Sequence, residues 1–330
     1  MRSACSPPQN GHLGSRGRAS QRPASEDAPA AIIPGMHGLL EAVPNFSAGR
    51  DPGVLAAIRR AIEGHARVLD VHADADHNRS VFTCVGGADG LVDGLAAGIA
   101  VAAERIDLAA HEGVHPRVGA ADVVPIVRFR EGDPEPARVA HALGERIGRL
   151  GIPVLGYAEL GGGRRPAFFR AGGTEGLAAR ISAGEAVPLY GPARLHPTAG
   201  AVLLGVRPPL VAFNVDLRTD DVEVARAIAA AVRARDGGFA GVQALGLRLA
   251  GSGCAQVSMN LIDVTVTPLH VVVAEVVRLA GERGVEVERG ELVGLMPAAT
   301  AAAAAGAALR IDGMAADQVL EVAAGGEFGG

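Results

Sequence analysis

The sequence lacks several residue types, and each absence limits what the chain can be. It contains no tryptophan and no lysine, and aromatic residues make up only 3% of its 330 residues. The core must therefore consist mainly of Val, Leu, Ile and Ala, which the hydrophobic fraction of 48% supplies in quantity. No apolar run reaches the roughly 18 residues of a membrane span, so we expect no membrane partner.

Cysteine is scarce, and there is no net positive charge. Cys5, Cys84 and Cys254 lie far apart and form no C-x-x-C pair, which argues against a disulfide framework and against a cysteine-based zinc site. This pattern fits the reducing environment of the cytoplasm. All 31 basic residues are arginine, and the formal net charge of −5 argues against nucleic acid as the main partner.

Composition and periodicity divide the chain into four segments. Residues 1–36 are rich in Ser, Pro, Gly and Arg and have neither an apolar period nor the apolar stretch of a secretion signal, so we expect a disordered N-terminal extension. Residues 37–206 and 207–323 each alternate strand and helix patterns and are expected to form two subdomains. Residues 324–330 are predicted to be a frayed tail.

Both central segments predict the same order of elements, β-α-β-β-α-β. In the first, "GLLEAVPNF" predicts a strand, and Asp51 followed by Pro52 predicts the capped start of a helix. In the second, "PLVAFNVDL" opens the series and "ELVGLMP" closes it. We therefore expect an α/β (α+β) fold of two subdomains, each a mixed or antiparallel sheet with helices on one face. Both subdomains would be ferredoxin-like units, with a cleft between them.

His111, Glu112 and His115 spell H-E-x-x-H, the signature of zinc proteases. That motif needs a helix, so that both imidazoles leave the same face. Here Gly113 lies inside the motif and Pro116 follows it directly, and both residues disfavour a helix. We therefore place the segment on a loop between a helix and the strand "DVVPIVRF". A zinc hydrolase that uses these three residues is the less favoured alternative.

Two further polar clusters fall at predicted strand ends in the same subdomain. "VPNFSAGRD" contains Asn45, "DADHNRS" contains Arg79, and the H-E-x-x-H segment is followed by Arg117. Loops at strand ends are the usual place for a ligand in an open α/β sheet. Imidazole suits proton transfer near neutral pH, and the arginine fork suits a carboxylate. The three clusters together predict one active site, while an ordinary polar loop is the alternative for each cluster alone.

The longer stretches around these clusters resemble the formiminotransferase family. The resemblance rests on "VPNFSAGRD", "LDVHADADHNRSVFTCVG", "IDLAAHEGVHPRVGAADVVP" and "AQVSMNLIDVTVTPLH…ELVGLMP", which occur in the family's order from about residue 37 to 323. In bifunctional members a cyclodeaminase half follows, and we expect the transferase half alone here.

The resemblance implies an enzyme of one-carbon metabolism. It implies transfer of a formimidoyl group between N-formimidoyl-L-glutamate and tetrahydrofolate in histidine degradation, with the folate between the two subdomains, and a homodimer. We expect no metal, because the amidine carbon is already electrophilic once it is protonated. By position, His115 is the catalytic histidine, and Asn45, Arg79 and Arg117 are candidates for substrate binding. The implied folate contacts are Gly191, Pro192, Ala193, Arg194, Leu195, His196, Pro197, Thr198, Ala199, Gly200 and Asn214.

The chain departs from the family's pattern at two positions near the expected site. His72 stands where the family often has an acidic residue, and Val114 stands where its H-K-G-E-H-P-R motif has glutamate. A carboxylate that orients His115 or raises its pKa is therefore missing from that place. A folate-binding protein with reduced or lost transferase activity is accordingly the alternative function, and formyl transfer stays open beside formimidoyl transfer.

Overall fold

The structure is a computed structural model and describes residues 38–113, 116–128, 135–249, 251 and 253–323. The expectations for residues 1–36 and 324–330 lie outside the described residues. The strands are β1 Leu40–Ala42, β2 Asn45–Phe46, β3 Arg67–Asp74, β4 Arg79–Gly86, β5 Ala121–Val127, β6 Val154–Ala158, β7 Val202–Arg207, β8 Val211–Leu217, β9 Val242–Arg248, β10 Ala255–Leu261 and β11 Val287–Val293. The helices are α1 Pro52–Glu63, α2 Ala88–Arg105, α3 Glu135–Arg149, α4 Pro166–Arg170, α5 Gly173–Ser182, α6 Val222–Val232, α7 Leu269–Glu282, α8 Ala298–Leu309 and α9 Leu320–Ala323.

The first sheet combines an antiparallel half and a parallel half. β1 and β2 act as one strand interrupted before Pro44, because both pair antiparallel with β4 and with β5. β3 pairs with the other edge of β4, whereas β5, β7 and β6 run parallel. Across the sheet the order is therefore β3, β4, the β1–β2 strand, β5, β7 and β6.

The second sheet is antiparallel throughout, in the order β11, β8, β10 and β9. If these four strands are numbered 1 to 4 in chain order, from β8 to β11, their order across the sheet is 4-1-3-2. The antiparallel half of the first sheet repeats that order as β5, the β1–β2 strand, β4 and β3. The structure thus has the mixed α/β architecture with two sheets that the sequence predicts.

Helices pack on one face of the first sheet and on part of the other, which the sequence did not predict. One face packs on α1, α2 and α3, with Phe46, Phe82 and Ile126 buried in that layer. On the opposite face Leu203 and Leu155 pack with Phe169 and Leu177 of α4 and α5. One reason is that α4 has only five residues and that glycines precede and separate the two helices, and glycine is typical of loops.

Local rules explain where several elements begin and end. Asp51 caps α1 by accepting hydrogen bonds from the backbone N–H groups of Gly53 and Val54, as the sequence predicted. β11 stops at Val293 because Gly294 has a φ of 76° and turns the chain. None of the helices in the described ranges is long and apolar enough to cross a membrane.

Candidate functional site

Asn78 joins the three polar segments at one end of the first sheet. Its side-chain oxygen accepts a hydrogen bond from the Gly49 N–H at 3.0 Å, and its side-chain nitrogen donates to the Glu112 carbonyl at 2.8 Å. Arg50 adds a hydrogen bond to the Ala75 carbonyl at 2.7 Å. The structure therefore brings the segments that begin at Asn45, at Asp74 and at His111 into one place.

Close backbone contact makes this junction specific. A Cβ atom on Gly49 would lie 2.1 Å from the Asp74 carbonyl oxygen and 2.7 Å from the Arg79 nitrogen. A Cβ on Gly113 would lie 2.5 Å from the His77 carbonyl oxygen. Both obstacles are backbone atoms, so glycine is needed at each position for the segments to meet.

The described part of the H-E-x-x-H segment is a loop. α2 ends at Arg105, and residues 111–113 have no regular structure, as expected. His111 Nε2 lies 3.0 Å from the Asn78 carbonyl oxygen, and burial followed by the nearby Arg117 lowers the His111 pKa. His115, the expected catalytic residue, lies outside the described residues. Within the described ranges no group of three or more potential metal ligands is found.

Arg117 braces its own loop. Its guanidinium donates to the His111 carbonyl at 2.7 Å and to the Gly113 carbonyl at 3.0 Å. These contacts hold residues 111–113 against the chain that leads into β5. The arginine was expected to bind substrate, and the contacts seen are to the backbone.

Asp122 fixes the turn that follows Arg117. One carboxylate oxygen accepts the Val118 N–H at 2.7 Å and the Gly119 N–H at 3.2 Å, and the other oxygen accepts the Arg170 Nε at 3.0 Å. Asp122 is only 2% exposed. The loop is therefore tied to α4 through a buried, charge-assisted pair.

A cleft with a cavity of about 370 Å³ lies between the first and the second sheet. On the first-sheet side it is lined by β4, the β1–β2 strand and β5, and on the other side by single residues of β8 to β11. Five arginines line it, and one acidic side chain is found among its described lining residues. The charged and polar lining residues are Arg79, Arg164, Arg165, Arg170, Arg207, Glu41, Asn45, Thr83, Tyr157, Gln243 and Asn260.

The electrostatics of the cleft follow from its arginines and its burial. Burial lowers the pKa of Arg79 to about 10, and the neighbouring Arg170 acts in the same direction. Burial raises the pKa of Glu41, while Arg207 opposes that rise. The cleft therefore keeps a cationic excess that suits an anionic ligand.

A polar bridge connects the two sheets beside the cleft. Asn214 on β8 donates to a Glu291 oxygen at 2.9 Å, and the other Glu291 oxygen lies 3.5 Å from His72 Nε2 on β3. Asn214 is buried, and the side chains of His72 and Glu291 are each 23% exposed. Asn214 was an expected folate contact, whereas nothing in the sequence singled out Glu291.

The stretch 191–200 lies at the same end of the first sheet as the Asn78 junction. Gly200 and His196 bond each other's backbone, and the Thr198 carbonyl accepts the Leu108 N–H at 2.9 Å. Gly200 has a φ of 67°, and a Cβ there would lie 2.1 Å from the Val118 carbonyl oxygen. The end of the stretch thus packs on the loop segments around residues 108 and 118, and none of its residues lines the cleft.

The sequence analysis identified Asn45 and Arg79 but missed the other arginines of the cleft. Arg164 and Arg165 belong to "GGGRRP", in which paired arginines follow a glycine run. That pairing was the available signal, although nothing local says which sheet the segment faces. Arg164 also packs over the Phe168 ring at 5.3 Å.

Fold and site define a class: a two-sheet α/β protein with an arginine-lined cleft for a small anionic ligand. Comparison with known families then specifies the class. The family model described as "Formiminotransferase domain, N-terminal subdomain" matches residues 39–207, and that described as "Formiminotransferase domain" matches residues 212–314. The chain belongs to the formiminotransferase domain family.

Individual relatives agree with this assignment. A Thermoplasma acidophilum protein named glutamate formimidoyltransferase is 41% identical over 86% of this chain and 96% of its own length. A Streptococcus pyogenes serotype M1 protein of the same name is 37% identical over 80% of this chain and 90% of its own. The formimidoyltransferase-cyclodeaminase of Sus scrofa is 38% identical over 79% of this chain but only 51% of its own length.

Proposed function

We propose that this enzyme transfers a formimidoyl group between N-formimidoyl-L-glutamate and tetrahydrofolate, as a step of histidine degradation. The observation that carries the proposal is the arginine-lined cleft between the two sheets, in a chain whose relatives are named for this transfer. The glutamate donor has two carboxylates, and tetrahydrofolate ends in a glutamate. Arginine forks bind such groups with two parallel hydrogen bonds.

The cleft offers separate surfaces for the two parts of the chemistry. Arg79 and Asn45 lie at the end near the Asn78 junction and are proposed to hold the donor. Val81, Val123 and Pro125 form an apolar floor on which a flat ring can lie. Such positioning of two reactants can lower a reaction barrier by several kcal/mol, about 7–11 in favourable cases.

His115 is proposed as the general acid and base. The tetrahydrofolate amine would attack the formimidoyl carbon to form a tetrahedral intermediate and would give its N–H proton to His115. His115 would then return that proton to the glutamate nitrogen as the bond from this nitrogen to the formimidoyl carbon breaks. The described contacts of Glu112 and of Val118 fix the chain before and after this position. A fixed loop of this kind is what precise proton transfer requires.

The remaining parts of the proposal extend beyond the cleft. Residues 191–200 and Asn214 are proposed folate contacts, with the subdomains divided at residues 206 and 207. Arg117, which also braces its loop, is proposed to bind a carboxylate of the donor. Without a metal, the protonated amidine is electrophilic enough for attack. We further propose a cytoplasmic homodimer that binds neither nucleic acid nor membrane.

A turnover assay tests the proposed function. The purified chain is given N-formimidoyl-L-glutamate with and without tetrahydrofolate, and consumption of the donor is measured. We expect consumption that depends on tetrahydrofolate. Folate binding without consumption would favour the binding-protein alternative. Consumption that is lost on chelation and restored by zinc would favour the hydrolase alternative.

Replacing His115 with alanine tests the proposed mechanism. We expect turnover to fall by at least the roughly 10²–10⁴-fold that general acid–base catalysis contributes, with tetrahydrofolate binding retained. His65→Ala, at an exposed position after α1, is the matched control and should leave turnover unchanged. Near-normal turnover in the His115 variant would remove this residue from the role.

A further inference from the structure

Glu291 presents a carboxylate on the cleft face of the second sheet. Its strand neighbour Val293 lines the cleft, and so does Ala212, which pairs with Val293 across the sheet. Glu291 lies two residues before Val293 on β11 and pairs with Asn214, which lies two residues after Ala212 on β8. Because side chains alternate between faces of a strand, Glu291 and Asn214 share the face that closes the cleft.

The carboxylate keeps room for another donor. One oxygen accepts from Asn214 at 2.9 Å, and the other has only the longer 3.5 Å contact to His72. A carboxylate offers about four acceptor positions, so these two contacts in the described part of the chain occupy about half of them. Its side chain is 23% exposed and is therefore accessible to solvent.

An anion on the second sheet and a cation on the first sheet occupy neighbouring positions here. Glu291 contacts His72, which pairs with Val81 on β4. Arg79 lies two residues from Val81 on the same face of that strand, where both line the cleft. The charge of Glu291 also acts on the pKa of Arg79. A protonated N-formimidoyl-amino acid carries the matching pair, since its amidinium is attached to the carbon that bears a carboxylate. The amidinium presents two N–H donors in a fork, as arginine does.

We propose that Glu291 determines donor specificity by binding the amidinium of the formimidoyl group, while Arg79 takes the adjacent carboxylate. An N-formyl donor places a carbonyl oxygen where the amidine has an N–H group. That oxygen would face the carboxylate lone pairs without a hydrogen bond, so the site rejects the neutral donor. The proposal rests on the proposed function for the identity of the donor, but it concerns binding and not turnover.

Binding measured by calorimetry tests the proposal. The wild-type chain is titrated with N-formimidoyl-L-glutamate and with N-formyl-L-glutamate, and the same is done for Glu291→Gln. We expect the wild type to prefer the formimidoyl compound by roughly 10- to 100-fold, in line with a hydrogen bond between charged groups. The variant should lose most of that preference, chiefly through weaker binding of the formimidoyl compound.

A control on the same strand separates specificity from structure. Glu288, paired with Arg218 at 3.0 Å on the exposed side, is replaced with glutamine and should keep the wild-type preference. Equal binding of both compounds by the wild type, or an unchanged preference in Glu291→Gln, would overturn the proposal. The measurement is a ratio of two binding affinities, so it tests the specificity proposal even if the chain shows no turnover. An absence of turnover would count only against the proposed function.

Discussion

Replacing Asp122 with asparagine should loosen the turn that follows the His115 segment. The substitution keeps the size of the side chain but removes its charge. The carboxylate now accepts two backbone N–H groups and also pairs with Arg170, and it is 2% exposed. The amide has one oxygen, so it can serve either the backbone or the guanidinium, and its NH₂ group must face the other donor.

The magnitude follows from these contacts. A hydrogen bond to a charged group contributes about 1.5–3 kcal/mol, and removing one partner of a buried ion pair costs about 3–5 kcal/mol. We therefore expect Asp122→Asn to lower the free energy of unfolding by about 2–4 kcal/mol, and Asp122→Ala by about 3–5 kcal/mol. Turnover should fall as well, because the turn at Val118 and Gly119 loses its acceptor.

Urea unfolding followed by circular dichroism measures the effect. Asp220→Asn is the matched control, since Asp220 is 80% exposed in a 3.6 Å pair with Arg248 and such surface pairs contribute about 0–1 kcal/mol. A double-mutant cycle with Arg170→Met isolates the ion pair. If Asp122→Asn proved as stable as the control variant, the account of how this loop is held would be wrong.

Two further predictions concern the junction of the three segments. Gly49→Ala should destabilise the protein and reduce turnover, because the new Cβ would lie 2.1 Å from a backbone oxygen. Gly53→Ala in α1 is the control and should be tolerated, because its Cβ would meet only the Asp51 side chain. Equal melting temperatures of the two variants would contradict this prediction. Burial lowers the pKa of His77 from 6.5, so the folded protein binds a proton at His77 less readily than the unfolded chain does. The contribution of His77 to the free energy of unfolding therefore falls as the pH drops below about 6.5. The stability advantage of the wild type over His77→Gln should therefore shrink between pH 7.5 and 5.5, and an advantage that grows on acidification would refute the sign.

Local patterns were sufficient where the site depends on strand ends. The segments around Asn45, Arg79 and His111 each follow or precede a strand whose periodicity is clear, and the structure joins them through Asn78. The helix-breaking effect of Gly113 also indicated the loop. These features depend on sterics within a few residues, which a sequence shows directly.

Features that depend on how distant elements dock could not be predicted. Arg170 reaches Asp122 only because a five-residue helix packs across β5, and no apolar period announces that helix. Glu291 meets His72 because one sheet lies over the edge of the other. The sequence analysis began the last strand at Glu291, with "ELVGLMP". In the structure β11 begins at Val287, so Glu291 lies inside the strand and not at its start.

The central claim is that both reactants meet in the cleft between the two sheets. A crystal structure of the protein with tetrahydrofolate bound tests it most directly. The account predicts ligand density between β4 and the second sheet, with the pterin on the floor formed by Val81, Val123 and Pro125. Density at any other place, with this cleft left to solvent, would contradict it.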